Sequence, residues 1–247
     1  PFPEQMNRVL TSKIADYHFA PTTLAQKNLI NEGIDPKNVF TTGNTGIDAL
    51  LTISKNLNNY ETPSTIKALK KNELFKTKKV VLVTGHRREN FGQGFKNICE
   101  AIKISAKKHP NYLFIYPVHL NPNVTEVVHQ ELNNQENILL IPPVDYLTFI
   151  FLMNNSYLIL TDSGGVQEEA PSLNKPIIVM RKSTERPEGV DAGCSILVGT
   201  DLKKITFAIS NLIHNTEIYK KMSSVANPYG DGCASEKIFA IIDQLDE

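Results

Sequence analysis

Lys79-Val80-Val81-Leu82-Val83-Thr84 is followed by Gly85, Gly92 and Gly94. After these, Phe95, Ile98, Cys99, Ile102 and Ala106 recur at helical spacing until Pro110. An unbroken, β-branched-rich run of this kind marks a strand buried on both faces. The spacing that follows turns one helix face to a core, and Pro110 stops that helix. The unit is therefore a strand, a glycine-marked turn and a helix, which is the repeat of a parallel sheet covered by helices.

The same alternation continues on both sides. Downstream, the pattern predicts strands over Leu113–Tyr116, Ile138–Ile141, Tyr157–Thr161, Pro176–Met180 and Ile196–Val198. Helices are predicted over Val124–Leu132, Tyr146–Asn154, Gly164–Leu173, Leu202–Ile213 and Ser235–Leu245. About six strands suffice for one Rossmann-like domain, assigned to 78–230. Upstream, Met6–Ala15 and Thr22–Glu32 read as helices, and Tyr17–Ala20 and Val39–Thr42 as strands. Two strands cannot form a doubly wound sheet. Residues 1–45 are therefore read as the tail end of a first Rossmann-like domain. Residues 46–77, with helices over Asp48–Leu57 and Glu61–Lys71, are read as a helical connector, and 231–247 as a C-terminal helix returning toward the first domain. The fold class is α/β.

Composition narrows the function. The chain has 247 residues, with 26 Lys+Arg against 26 Asp+Glu. The balance excludes the basic excess of a dedicated nucleic-acid binder. An apolar share of 41% with zero net charge excludes disorder. The longest apolar run, Tyr146–Met153, falls far short of the ~20 residues that span a bilayer. Neither nucleic acid nor membrane is expected as a partner. Cys99, Cys194 and Cys233 are odd in number and widely spaced, so neither a disulfide framework nor a zinc knuckle is indicated. A reducing, cytoplasmic setting is expected, in which Asn123-Val124-Thr125 and Asn154-Asn155-Ser156 are chance matches to a glycosylation pattern. The opening Pro1-Phe2-Pro3-Glu4 lacks Met and the order of a signal peptide, which predicts a processed chain or part of a longer one.

Ligands of open parallel sheets bind beyond the carboxyl ends of the strands. The segments there are the polar ones: Gly85 to Asn90, Pro117 to Asn123, Asp162 to Glu169, and Arg181 to Glu188. Ser163-Gly164-Gly165 opens a helix and leaves backbone N–H groups accessible to an anion such as phosphate; it also reads as a tight turn with Ser163 as N-cap. Glu168 and Glu169 read as first-turn acids complementing the helix dipole, or as acceptors for ribose hydroxyls. His86, at the end of the best strand and beside Arg87 and Arg88, suits proton transfer or stabilisation of a leaving phosphate. His119 has a similar place. Arg87, Arg88 and Arg186 suit a diphosphate clamp or pairing with Glu89, Glu185 and Glu188. Phe149 can stack on a base or pack in the core beside Ile150 and Leu152. No His/Asp/Glu cluster has metal-ligand spacing, so no metal and no cofactor are expected.

Longer strings carry a family resemblance. VTGHRRENFGQGF (83–95), YPVHLNPNV (116–124), LTDSGGVQEEAPSLNKPIIVMRKSTERPEGVDAG (160–193) and NPYGDG (227–232) resemble the bacterial non-hydrolysing UDP-N-acetylglucosamine 2-epimerases. So do PFPEQMNRVLT (1–11), YHFAPT (17–22) and NVFTTGNTGIDAL (38–50). The resemblance implies a GT-B architecture, two Rossmann-like domains with a nucleotide sugar between them, of which most of the first is absent here. It implies His86 and Glu4 as catalytic residues. For UDP it implies Ser163, Gly164 and Gly165 at the diphosphate, Glu169 rather than Glu168 at the ribose, Phe149 at the uracil, and Arg186 and Val144 as further contacts. Arg87 and His119 resemble positions tied in some relatives to a regulatory UDP-GlcNAc site. The implied reaction is UDP-GlcNAc to UDP-ManNAc through 2-acetamidoglucal, by a cytoplasmic homodimer serving cell-envelope polysaccharide synthesis. A UDP-sugar-binding fragment without catalysis and a GT-B glycosyltransferase are the competing expectations.

Overall fold

A computed structural model describes residues 3–245; Pro1 and Phe2 of the opening motif lie outside the described residues. The chain divides into two compact units, Pro1–Thr52 with Pro228–Glu247, and Ile53–Asn227.

In the first unit, α1 (Glu4–Ile14) leads to β1 (His18–Ala20), α2 (Thr23–Asn31) and β2 (Val39–Thr41). β1 and β2 pair in parallel, with His18 opposite Val39. The Thr22 hydroxyl caps α2 by accepting from Ala25 N at 3.1 Å. The division falls inside α3 (Thr45–Lys55), and the first unit ends with α13 (Ala234–Leu245). α13 begins against Asp48 of α3, whose two carboxylate oxygens accept from Ala234 N at 3.1 Å and Ser235 N at 2.6 Å. Gly232 sets the approach to α13. Its φ is +86°, and a Cβ there would lie 2.6 Å from Leu51 Cδ1. Gly232→Ala is therefore expected to destabilise the chain by about 1–2 kcal/mol through the left-handed backbone alone. Chemical denaturation checks this, and an unchanged midpoint contradicts it.

The second unit begins with α4 (Ser64–Lys71) and α5 (Glu73–Thr77). α4 starts three residues later than the sequence pattern predicts, after Pro63 in an extended conformation. It ends at Asn72, whose side chain turns to cap α5. Six parallel strands follow: β3 (Lys79–Thr84), β4 (Tyr112–Pro117), β5 (Ile138–Ile141), β6 (Ser156–Thr161), β7 (Ile177–Val179) and β8 (Ser195–Leu197). The helices between them are α6 (Gln93–Lys108), α7 (Pro122–Leu132), α8 (Tyr146–Asn155), α9 (Gly164–Glu169) and α10 (Pro187–Asp191); α11 (Leu202–His214) and α12 (Thr216–Ser223) follow β8. The short helices α5, α10 and α12 have no counterpart in the pattern-based reading. α9 is shorter than expected. Pro171 has no N–H to continue the ladder, and Ala170–Leu173 tightens into a 3₁₀ turn.

The strand order is β5-β4-β3-β6-β7-β8. The first strand is central, the chain runs outward to β5, then returns across β3 to lay down β6, β7 and β8. This is the doubly wound order, and its direction reverses between β3 and β6. Side chains alternate across the sheet. Val81 and Val83 join Phe95, Ile98 and Ile102 of α6 and Ile205, Ile209 and Leu212 of α11 in one buried cluster. Val80 and Leu82 point the other way and are buried too. On that account β3 carries no polar alternation. Phe75 of α5 stacks on Phe151 of α8 with centroids 5.8 Å apart, and Lys70 of α4 lies over the same ring at 5.6 Å.

One buried amide ties helix to sheet. Asn137, at the start of β5, donates Nδ2 to the carbonyls of Ala106 (2.9 Å), His109 (3.4 Å) and Tyr112 (2.8 Å). It holds the end of α6 to the start of β4. No helix of the described residues is long and apolar enough to cross a membrane.

Candidate functional site

Because β3 and β6 are neighbours, their carboxyl ends bring two segments together at the reversal point. One is Gly85-His86-Arg87; the other is Asp162-Ser163-Gly164. Thr84 Oγ1 and Thr161 Oγ1 are 2.6 Å apart across the two strand ends. The Thr161 hydroxyl also accepts from Ser163 N at 3.0 Å.

Asp162 is fully buried. Its Oδ2 accepts from His86 N (2.9 Å), Arg87 N (2.9 Å) and Asn90 Nδ2 (3.2 Å). Among the described residues its Oδ1 accepts only from His86 N, at 3.2 Å, and faces His86 Nδ1 at 3.7 Å. Asn90, also buried, donates to Met180 O at 3.1 Å, tying the end of β7 into the same knot. Tyr116 donates its hydroxyl to Gly85 O at 2.7 Å. The His86 and Arg87 N–H groups and the Gly85 carbonyl are thus paired, and the imidazole is left half-exposed. His86 stacks on His119, with centroids 5.2 Å apart and ring planes 13° apart. Burial holds the His86 pKa below its ordinary value. Asp162 opposes the shift, while His119 and Arg87 add to it.

The Ser163-Gly164-Gly165 turn opens α9. Ser163 occupies the N-cap position, and its hydroxyl makes no capping bond. A Cβ on Gly165 would meet nothing nearer than Ser163 Oγ at 4.0 Å, and this glycine is exposed. Gly164 is enclosed: a Cβ there would lie 3.0 Å from Glu185 Oε1 and 3.7 Å from Arg87 Nη2. A side chain there would crowd that ion pair and make its carboxylate end give by a few tenths of an ångström.

The segment after β7 supplies the charges. Arg181 is buried and binds Glu89 through Nε at 2.7 Å and Glu185 through Nη1. Arg87 reaches Glu185 at 3.5 Å. Arg186 pairs through Nε with Glu168. Of the expected pairings Arg87 with Glu185 forms, while Arg186 takes Glu168 and the Glu89 partner is Arg181. Gln167 links this segment to α9, accepting from Thr184 Oγ1 at 2.7 Å and donating to Ser163 O at 3.1 Å.

Glu168 and Glu169 are corrected in position. They end the six-residue α9 and do not lie in its first turn, so dipole complementarity does not explain them. Glu168 is buried against Arg186. Glu169 accepts from Tyr146 Oη at 2.9 Å. Burial raises the Glu169 pKa, and the Tyr146 bond works against that rise. A carboxyl with a raised folded pKa holds its proton in the folded state, so its contribution to stability is present below about pH 4.5 and lost as pH rises through the folded pKa. Tyr146→Phe removes the opposing bond. It is expected to raise the Glu169 pKa further and to cost about 1 kcal/mol at neutral pH, allowing for the exposure of Tyr146. Denaturation at pH 4 and pH 7 checks this; an equal effect at both contradicts it.

Phe149 is half-buried in α8, between buried Thr148 and Ile150, and Val144 lies half-buried in the loop after β5. Both follow the same sheet edge. Glu4 is exposed at the start of α1 and belongs to the other compact unit. Asp162, Asn90, Tyr116 and Arg181 were visible only as loop or strand-end residues; their roles depend on which strands are neighbours. Among the described residues no group of three His, Cys, Asp or Glu is placed to hold a metal ion.

A family sequence model described as UDP-N-acetylglucosamine 2-epimerase matches residues 1–243. The chain belongs to this family. It is 51% identical over 240 residues to the UDP-N-acetylglucosamine 2-epimerase of Yersinia pestis, covering 96% of this chain and 63% of that protein. Its fold matches the UDP-GlcNAc 2-epimerase of Neisseria meningitidis, solved bound to UDP-GlcNAc, with TM-score 0.89 and 45% identity over 99% of this chain and 66% of the other. An S. aureus protein solved with UDP matches with TM-score 0.87 and 43% identity, over 98% and 64%. The GT-B-type α/β assignment agrees with these structures. The chain spans about two thirds of the length of each family relative, 63% for the Yersinia protein.

Proposed function

We propose that the chain is the nucleotide-binding part of an enzyme that interconverts UDP-GlcNAc and UDP-ManNAc. One observation carries the reading: an open glycine turn, Ser163-Gly164-Gly165, stands beside a half-exposed histidine at the reversal point of a doubly wound sheet. Family membership and the relatives solved with UDP-GlcNAc or UDP supply the ligand.

In this reading Ser163, Gly164 and Gly165 receive the diphosphate and Glu169 the ribose hydroxyls. Phe149 packs on the uracil, while Val144, through backbone, and Arg186 complete the contacts. The C2 proton leaves to a base as the C1–O bond to UDP breaks, which gives 2-acetamidoglucal and UDP. Reprotonation on the opposite face and return of UDP to C1 give the epimer. The leaving diphosphate needs electrostatic stabilisation, supplied by the glycine turn and by His86. Proton transfer needs an acid and a base, roles assigned to His86 and Glu4. Arg87 and His119 are assigned to a second, regulatory UDP-GlcNAc site. Residues 1–45 then belong to the first domain of the enzyme and 78–230 to its UDP-binding domain, joined by 46–77, with 231–247 a C-terminal helix returning toward the first domain. The enzyme is taken to be a cytoplasmic homodimer that feeds cell-envelope polysaccharide synthesis.

Calorimetric titration of UDP into the purified chain, followed by an assay for UDP-ManNAc on the same sample, tests this. Binding with turnover supports the full assignment. Binding without turnover supports the UDP pocket and leaves a binding fragment as the function of the chain alone. A folded chain, by circular dichroism, that does not bind UDP overturns the pocket.

A further inference from the structure

We infer that Asp162 is the positioning residue of this site, fixing the His86 imidazole with its Nδ1–H toward the carboxylate and its Nε2 toward the glycine turn. The inference rests on the reading of His86 as the proton-transfer group. It stands on geometry. Asp162 has no exposure to water, and a buried carboxylate persists only if its lone pairs are taken up. Oδ2 has three donors: His86 N, Arg87 N and Asn90 Nδ2. Oδ1 has one, His86 N at 3.2 Å. The next donor within reach of Oδ1 is His86 Nδ1, at 3.7 Å. The oxygen that is short of partners therefore faces the ring nitrogen that can supply a proton.

Two consequences follow from the residue's place in the chain. Asp162 immediately precedes Ser163, so one side chain ties the histidine loop to the turn that receives the diphosphate. A shift of either moves the other. The ring's second nitrogen, freed of the proton, is a proton acceptor, and its charged form is stabilised by Asp162 next to the departing diphosphate. The charged and titratable groups facing the ring are Asp162 from β6, His119 from the segment after β4, and Arg87 from its own loop. Asp162 alone among them favours the imidazolium, and burial opposes it.

The test is NMR of the histidine ring nitrogens in this chain, in wild type and in Asp162→Asn. In the wild-type chain at pH 8, neutral His86 is expected to carry its proton on Nδ1; a proton on Nε2 overturns the inference with no variant needed. In Asp162→Asn the His86 titration midpoint is expected to move to lower pH. An unmoved midpoint in a folded variant also overturns it, because the carboxylate would then not act on the ring. In an assay of turnover, the same variant is expected to lose about tenfold or more in kcat, with the UDP dissociation constant changed less than about threefold. The ring measurements need no UDP. A wild-type chain that shows the Nδ1 tautomer and fails to bind UDP therefore sinks the function reading and leaves the positioning role intact.

Discussion

Replacing His86 with alanine is expected to lower UDP-ManNAc formation by about 10²–10⁴-fold and to leave the fold in place. The activity loss follows from position. His86 is the one imidazole next to the open glycine turn that is also backed by a buried carboxylate. The tolerance of the fold follows from how the loop is held. Asp162 accepts from the backbone N–H of residue 86, which alanine keeps. The ring itself is half-exposed and touches His119 by stacking. Circular dichroism and thermal unfolding should match wild type, and UDP should still bind. A folded variant that retains full turnover removes His86 from the mechanism. A variant that unfolds contradicts the claim that the loop is held through its backbone.

The largest stability effect is expected at a position with no catalytic part. Asn137→Asp changes one atom type and almost no volume. Asn137 uses its amide hydrogens on three carbonyls, of Ala106, His109 and Tyr112. An ionised aspartate would set a negative oxygen against those oxygens in a buried site. Breaking such an arrangement costs about 3–5 kcal/mol. The carboxyl avoids part of this by taking up a proton, so its folded pKa rises above the ordinary aspartate value. The sign is then fixed. The folded state holds more protons than the unfolded state, so the variant is least impaired in acid and loses stability as pH rises through its folded pKa. Denaturant titrations at pH 4 and pH 7 read this directly. A loss that is equal at both, or greater in acid, contradicts the account.

The sheet was legible because its strands are local signals. Lys79–Thr84 and Ile138–Ile141 read at their observed bounds, since each is a compact apolar run closed by turn residues. The helix over Thr216–Ser223 was not legible: its apolar residues are few, and it packs by Ile218 and Met222 and by Tyr219, which stacks on Tyr157 with centroids 4.1 Å apart. The helix over Pro187–Asp191 is too short to show a period. The glycine turn and His86 were readable as a candidate site because both follow strands at the edge of a parallel sheet where ligands bind. Asp162 was not, because a buried acid and a solvated loop acid look alike in sequence. What separates them is the adjacency of β3 and β6, set by the order of strands far apart in the chain. The same holds for Glu168. It reads as a helix-dipole acid, and becomes the partner of Arg186 only once the segment after β7 has folded back over α9.

The first compact unit is assembled from two separate stretches, one ending within α3, with Asp48 on its side of the division, and one carrying α13. On the ribosome these two parts emerge at very different times. Residues 53–227 are contiguous and can complete their sheet as soon as β8 and the helices after it have left the exit tunnel. Asp48, by contrast, waits through the synthesis of that whole segment before Ala234 and Ser235 arrive to take up its carboxylate. A stop codon or a frameshift near residue 230 would therefore yield a chain with an intact six-stranded sheet and an α3 whose Asp48 lacks Ala234 and Ser235.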